Sequence, residues 1–211
     1  MFRDRTDAGE QLAQALAEHQ ATDPVVLALP RGGLPVARVV ADALGAPLDI
    51  VLVRKIGAPG QRELALGALV DGDPPQAVLN ADLIELLGVS EEYLEQEKQA
   101  LTEELNRRRE SYLGDRKRAD VAGKTAIVVD DGIATGATMR AALTATRRRG
   151  PETLVLAVPV APAESLHGLS GEADSVVCLS TPAHFRAVSL HYQRFPQVSD
   201  DEVIALLGDS S

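Results

Sequence analysis

The stretch AIVVDDGIATGAT at residues 126–138 constrains the fold more than any other part of the chain. Four small or β-branched apolar residues, 126–129, read as a buried strand that stops abruptly at two carboxylates, Asp130 and Asp131. A loop of glycines and threonines follows, and residues 139–149 have the spacing of a helix. Strand, tight turn and helix N-terminus in that order form an anion site, because the unpaired amides of the first helical turn and the positive end of the helix dipole point the same way. Gly132 and Gly136 are expected to supply dihedrals closed to other residues, with Thr135 and Thr138 adding hydroxyl donors. The acidic pair would repel a polyphosphate, but it offers acceptors for the vicinal hydroxyls of a sugar. A ribose carrying one phosphate is the ligand this predicts.

Other nucleotide loops do not fit. The spacing of Gly132 and Gly136 with no following lysine excludes G-x-x-x-x-G-K-[ST], and no G-x-G-x-x-G is present. VVDDGIATGAT resembles the signature of the type I phosphoribosyltransferases, the loop that holds 5-phosphoribosyl 1-diphosphate (PRPP). That resemblance implies that Asp130 and Asp131 bind the ribose 2- and 3-hydroxyls while Ala134, Thr135, Gly136, Ala137 and Thr138 wrap the 5-phosphate.

Upstream lies a second unit of the same kind. VVLAL at residues 25–29 is a continuous apolar run typical of a strand buried on both faces, followed by Pro30, Arg31, Gly32 and Gly33 and a helical stretch over 36–44. On the residues alone, Gly32 and Gly33 either turn the chain beside a solvated Arg31 or open a phosphate site. The resemblance implies the second: LPRGG corresponds to the family's pyrophosphate loop, with Arg31, Gly32 and Gly33 on the diphosphate. Residues 48–53 read as another buried strand ending in Arg54 and Lys55, and the Gly- and Pro-rich IGAPGQREL reads as a mobile loop. In the family a flexible loop at this place closes over the reacting centre, which makes Arg54, Lys55 and Arg62 candidates for the diphosphate. Glu63 is the one carboxylate nearby, and Arg62 and Glu63 read best as solvated surface charges.

Residues 64–70 and 77–79 read as short strands joined across DGDPP. Thr6 or Asp7 is expected to cap a helix running to about His19. Ser90 caps a long helix with Glu91 and Glu92 in its first turn and arginines at 107–109 near its last, and Gly114 ends it. Its charges read as a solvated face, with Leu94, Leu101 and Leu105 as candidates for the seam of a homodimer. Strands at 124–129, 153–160 and 175–179 and a helix at 163–169 complete an alternating pattern. The fold class expected is α/β, a doubly wound, mainly parallel sheet, with LPRGG, VRK and DDGIATGAT at carboxyl ends of strands, where ligands bind in such sheets. A single phosphoribosyltransferase-like domain over 1–211 is expected, with a core at about 20–180, a helical insertion at about 80–118 and a C-terminal hood at about 181–207.

A net charge of -10 disfavours nucleic acid and anionic membranes as partners. The single cysteine, Cys178, lies in an apolar run and reads as a buried, inert thiol. The start MFRDRTDAGE has no apolar leader and no segment approaches a membrane span, so a cytoplasmic protein is expected. The four histidines show no metal-site spacing, and HGLSGE misses the hydrolase elbow.

In a chain with 3% aromatic residues, the tail concentrates Phe185, Tyr192 and Phe195. These either form a wall on which an acceptor base stacks or a satellite cluster covering the sheet; the family's C-terminal hood keeps Tyr192 and Phe195 as acceptor candidates. The resemblance implies displacement at the ribose anomeric carbon, with a nitrogenous acceptor, such as a nucleobase, entering and pyrophosphate leaving. Magnesium carried by PRPP, with no direct protein ligands, would act with Arg31, Arg54 and Lys55 on the leaving group, opposite Asp130 and Asp131. One departure bears on specificity: the residue before the loop's Thr-Gly is an aspartate in the hypoxanthine-guanine branch and is Ala134 here. A rival reading keeps the fold as a non-catalytic PRPP or nucleotide sensor.

Overall fold

Strands that are apolar at every position must be covered on both faces. The computed structural model, which describes residues 1–208, meets that requirement with a sheet between two layers of helices. The chain runs α1 (Arg5–Ala15), β1 (Pro24–Ala28), α2 (Gly33–Leu44), β2 (Leu48–Ile50), β3 (Val53–Ala58), β4 (Gln61–Val70), β5 (Gln76–Leu79), α3 (Ala81–Leu87), α4 (Glu91–Leu113), β6 (Thr125–Val129), α5 (Ala137–Arg147), β7 (Thr153–Val160), α6 (Ala163–Leu169), β8 (Ser175–Ser180) and α7 (Asp200–Gly208).

Five strands pair in the order β2-β1-β6-β7-β8, every neighbouring pair parallel. In register, Val26 lies between Leu48 and Ile127, and Ile127 faces Val155 on its other side. The pleat then divides the core. Val26, Ala28, Ile127 and Val129 pack toward α1 and α2 with Leu12, Leu34 and Val40, while Val25, Leu27, Ala126 and Val128 pack toward α5 with Met139 and Leu143. Each fully buried aliphatic side chain of this kind contributes roughly 2 kcal/mol, so these two layers hold the helices in place.

The chain leaves β1 for β2 in one direction and leaves β6 for β7 in the other. Between β1 and β6 the strand order therefore reverses, and an open α/β sheet takes its ligands at such a point, beyond the carboxyl ends of the strands. LPRGG follows β1 and DDGIATGAT follows β6.

Three readings of the sequence are corrected here. Residues 48–53 are not one strand: β2 stops at Ile50 and β3 starts at Val53 in a separate antiparallel sheet, β3-β4-β5. IGAPGQREL is no open loop but the turn half of the β3–β4 hairpin, with Ile56 and Ala58 buried and Tyr93 Oη donating to the Gly57 carbonyl at 3.0 Å. Its sparse apolar content hid the strand because the ladder is made by backbone. The cap of α1 is Asp4, whose Oδ1 accepts from the Asp7 amide at 3.0 Å, upstream of both Thr6 and Asp7.

The long helix α4 begins after the Ser90 cap and ends at Gly114, as its sequence signals. Its leucines, however, are turned inward. Leu94 and Leu105 are buried in the main core, so they are not available to a dimer seam, and Leu101, half-buried, packs against it. Arg109, within the run read as solvated, is buried too. It donates to both oxygens of Asp49 at 2.7 and 3.0 Å and to Asp71 Oδ2 at 3.1 Å, while Arg118 also pairs with Asp71. Asp71 Oδ1 accepts from the Leu52 amide at 2.7 Å, so this network fixes the backbone that passes from β2 into β3.

Candidate active site

The sheet's carboxyl edge brings the two glycine loops into contact. Gly32 and Gly33 follow β1 at the start of α2, and they lie directly on the acidic pair that follows β6. A Cβ on Gly33 would stand 2.8 Å from Asp130 Cα, and one on Gly32 would stand 2.2 Å from Asp131 Oδ2. The glycines are thus required by close packing of one loop on the other. Gly132 has the same explanation, since a Cβ there would meet Val188 Cγ1 at 2.7 Å, in place of the special dihedral expected of it. Gly136 is the residue that takes one, at φ 81°, as the N-cap of α5.

Asp130 and Asp131 sit beyond the end of β6 with different partners. Asp130 Oδ1 accepts from the Asp131 amide at 2.8 Å. Asp131 Oδ2 accepts from Arg5 Nε at 2.8 Å, and its backbone carbonyl accepts from Tyr192 Oη at 2.6 Å. Burial, then the Asp131 charge, pushes the Asp130 carboxyl well above the usual carboxylate range. Burial also raises Asp131, against the opposing pull of the Arg5 guanidinium.

Beyond the pair, Ala134, Thr135, Ala137 and Thr138 are exposed at the opening of α5, and the loop is tethered by Ser165 Oγ donating to the Ala134 carbonyl at 2.6 Å. These residues stand at the N-terminus of α5, where first-turn amides have no partner within the helix.

Two adjoining cavities meet at Thr138. The first, about 430 Å³, is bordered by Asp130, Asp131, Arg5, Arg31 and Arg54, with Phe195 on one wall. The second, about 550 Å³, runs between α5 and the small sheet and is bordered by Thr135, Ala137, Lys55 and Arg140. Arg54 and Lys55 are neighbours on β3 and so leave its opposite faces, one into each cavity. The structure therefore brings Arg31, Gly32 and Arg54 together with the acidic pair and separates Lys55 from them, placing it beside the 134–138 loop.

Each arginine of the first cavity is held. Arg31 pairs with Asp200 at 3.5 Å, and Asp200 also accepts from Tyr112 Oη at 2.5 Å. Arg54 Nε donates to Glu104 Oε1 at 2.7 Å, which holds the Glu104 carboxyl below its usual range. Arg62 and Glu63 are exposed on the hairpin, as expected. Tyr192 is 5% exposed and packs with Phe2 and Phe195 in the satellite cluster, so its ring faces are covered by protein; Phe195 alone of the two borders the cavity.

Sequence reasoning missed Arg5, Glu104, Arg108, Tyr112 and Asp200, which come from α1, α4 and α7. Neither glycine motif points to them, and Arg5 meets its partner across 126 residues of chain.

An open parallel sheet reversing between β1 and β6, with these two loops on its carboxyl edge, defines the type I phosphoribosyltransferase fold. The model of the phosphoribosyl transferase domain matches residues 3–193, and the chain belongs to that family. It is 47% identical over 207 residues to the "Putative phosphoribosyl transferase Rv0571c" of Mycobacterium tuberculosis strain H37Rv, and equally to MT0597 of strain CDC 1551. Those alignments cover 98% of this chain and 46% of the relatives, so the chain spans about half the length of the curated relatives it matches. The crystal structure of TT1426 from Thermus thermophilus superposes with a TM-score of 0.87 at 45% identity, covering 100% of this chain and 99% of that one. No helix among the described residues is long and apolar enough to cross a membrane.

Proposed function

We propose that this chain transfers the 5-phosphoribosyl group of PRPP to a nitrogen of a small acceptor, with release of pyrophosphate. The observation that carries the reading is the juxtaposition at the β1–β6 switch point: an acidic pair on the cavity wall, an open helix-N-terminal loop on one side of it and the arginines of LPRGG and β3 on the other.

Each part answers one part of the donor. The 134–138 loop offers amides and hydroxyls to the 5-phosphate, with Lys55 beside it. Asp130 and Asp131 accept from the ribose hydroxyls. Arg31 and Arg54 face the diphosphate. As the C1–O bond loosens, its electron pair leaves with pyrophosphate, where the arginines stabilise it. Positive charge on the ribose grows beside the two carboxylates, and the acceptor nitrogen closes the new bond on the opposite face.

Among the described residues no group of three or more His, Cys, Asp or Glu could hold a metal ion. Magnesium is proposed to enter on the diphosphate's own oxygens, where it would neutralise the leaving group.

The acceptor is proposed to be a nucleobase or similar heterocycle, with Phe195 as the aromatic surface beside it. Ala134 is exposed and carries no group to read a 6-oxo substituent, which favours other acceptors. Pyrophosphate release from PRPP in the presence of magnesium and a panel of nucleobases tests the reading. PRPP binding without turnover on any acceptor would support the sensor instead.

A further inference from the structure

Arg5 is a buried cation at the first position of α1, far in sequence from both glycine loops, and its guanidinium is used three ways at once. Nε and Nη2 both reach Asp131 Oδ2 at 2.8 Å. Nη1 donates to the Pro196 carbonyl at 2.7 Å. The guanidinium carbon stands 3.8 Å from the centroid of the Phe195 ring, a cation–π stack.

The asymmetry on Asp131 is informative. An arginine fork ordinarily spreads over both oxygens of a carboxylate, whereas here both N–H groups converge on Oδ2. Among the described residues Arg5 is the one side chain bonded to this carboxylate, and it leaves Oδ1 to other donors. Asp131, Arg5, Phe195 and Pro196 all border the same cavity as Arg31 and Arg54. Stability is a poor explanation for the pair, since burying two charges costs about as much as their attraction returns.

We infer that Arg5 is a positioning residue of the ribose site: it fixes the Asp131 carboxylate with Oδ1 left for a ribose hydroxyl, and it pins Phe195 and Pro196 of the C-terminal segment as the adjoining wall. The inference rests on the ribose-phosphate reading proposed above. Arg5 does not touch the reacting atoms. It acts through Asp131 and through the tail.

The test is titration calorimetry of ribose 5-phosphate and, separately, of pyrophosphate with magnesium, on the wild-type chain, Arg5→Lys and Arg5→Gln, with thermal unfolding followed for each. Arg5→Lys keeps the charge but loses the fork and the stack, so ribose 5-phosphate is expected to bind about tenfold more weakly. Pyrophosphate, which meets Arg31 and Arg54, keeps its affinity in Arg5→Lys. Arg5→Gln weakens ribose 5-phosphate further; should it not fold, Arg5→Lys alone decides. Unchanged ribose 5-phosphate affinity in Arg5→Lys, or an equal loss for both ligands, overturns the inference. Failure of the wild-type chain to bind ribose 5-phosphate at all would instead overturn the proposed function.

Discussion

Gly32 lies against the Asp131 carboxylate so closely that a Cβ would stand 2.2 Å from Oδ2. The loop after β1 and the acidic pair after β6 are therefore one packed unit, and neither can shift alone. Gly32→Ala is expected to displace Asp131 or the LPRGG backbone, costing about 1–3 kcal/mol of stability by overpacking. Ribose 5-phosphate affinity falls with it, as calorimetry would show, whereas Gly45→Ala, with open space around its Cβ position, leaves that affinity alone.

The Asp130 carboxyl is raised well above its usual range, by burial first and the Asp131 charge second. Folding therefore favours its protonated form. The resulting stability is whole below the ordinary carboxylate pKa and is lost as pH rises through the raised folded value. Asp130→Asn is expected to melt higher than wild type at neutral pH, with the difference closing toward about pH 3–4. A lower melting temperature than wild type at neutral pH contradicts this account of Asp130.

Arg109 is buried with Asp49 and Asp71, both of which it bonds. Arg109→Ala leaves two buried carboxylates short of a partner and is expected to cost about 3–5 kcal/mol in urea unfolding. Arg107→Ala, two residues away, breaks only a surface pair at 4.0 Å and is expected to change stability by less than about 0.5 kcal/mol.

Arg54 and Lys55 project into different cavities, so their roles separate. Arg54→Gln is expected to weaken pyrophosphate about tenfold with little effect on ribose 5-phosphate; Lys55→Gln does the reverse, at about the same size. Binding isotherms for the two ligands decide it, and equal effects of both substitutions on both ligands would show that the division is wrong.

What the sequence revealed and what it hid follow from the range of the interactions involved. The bounds of α4 are set by the Ser90 side chain and by Gly114, both local signals, and β7 and α6 likewise follow from uninterrupted patterns. The acidic pair and the 134–138 loop are contiguous, so strand, turn and helix cap are read together. Arg5 reaches the cavity, and Glu104 and Asp200 reach its arginines, from distant parts of the chain, and no local pattern marks them. The run at 107–109 misled because a helical charge cluster is usually solvated, and only the fold shows that Asp49 and Asp71 wait beneath Arg109. For Tyr192 the sequence left an acceptor wall and a satellite cluster open, and what places it in the cluster is its contact with Phe2, from the far end of the chain, added to that with nearby Phe195.

The central claim is that Asp130 and Asp131 hold the ribose of PRPP. Its most direct test is calorimetric binding of PRPP with magnesium to the wild-type chain and to Asp130→Asn/Asp131→Asn, the fold of the double variant being checked by circular dichroism. The account predicts saturable binding to the wild type and its loss in a double variant that remains folded. Equal PRPP affinity in the two proteins would contradict it.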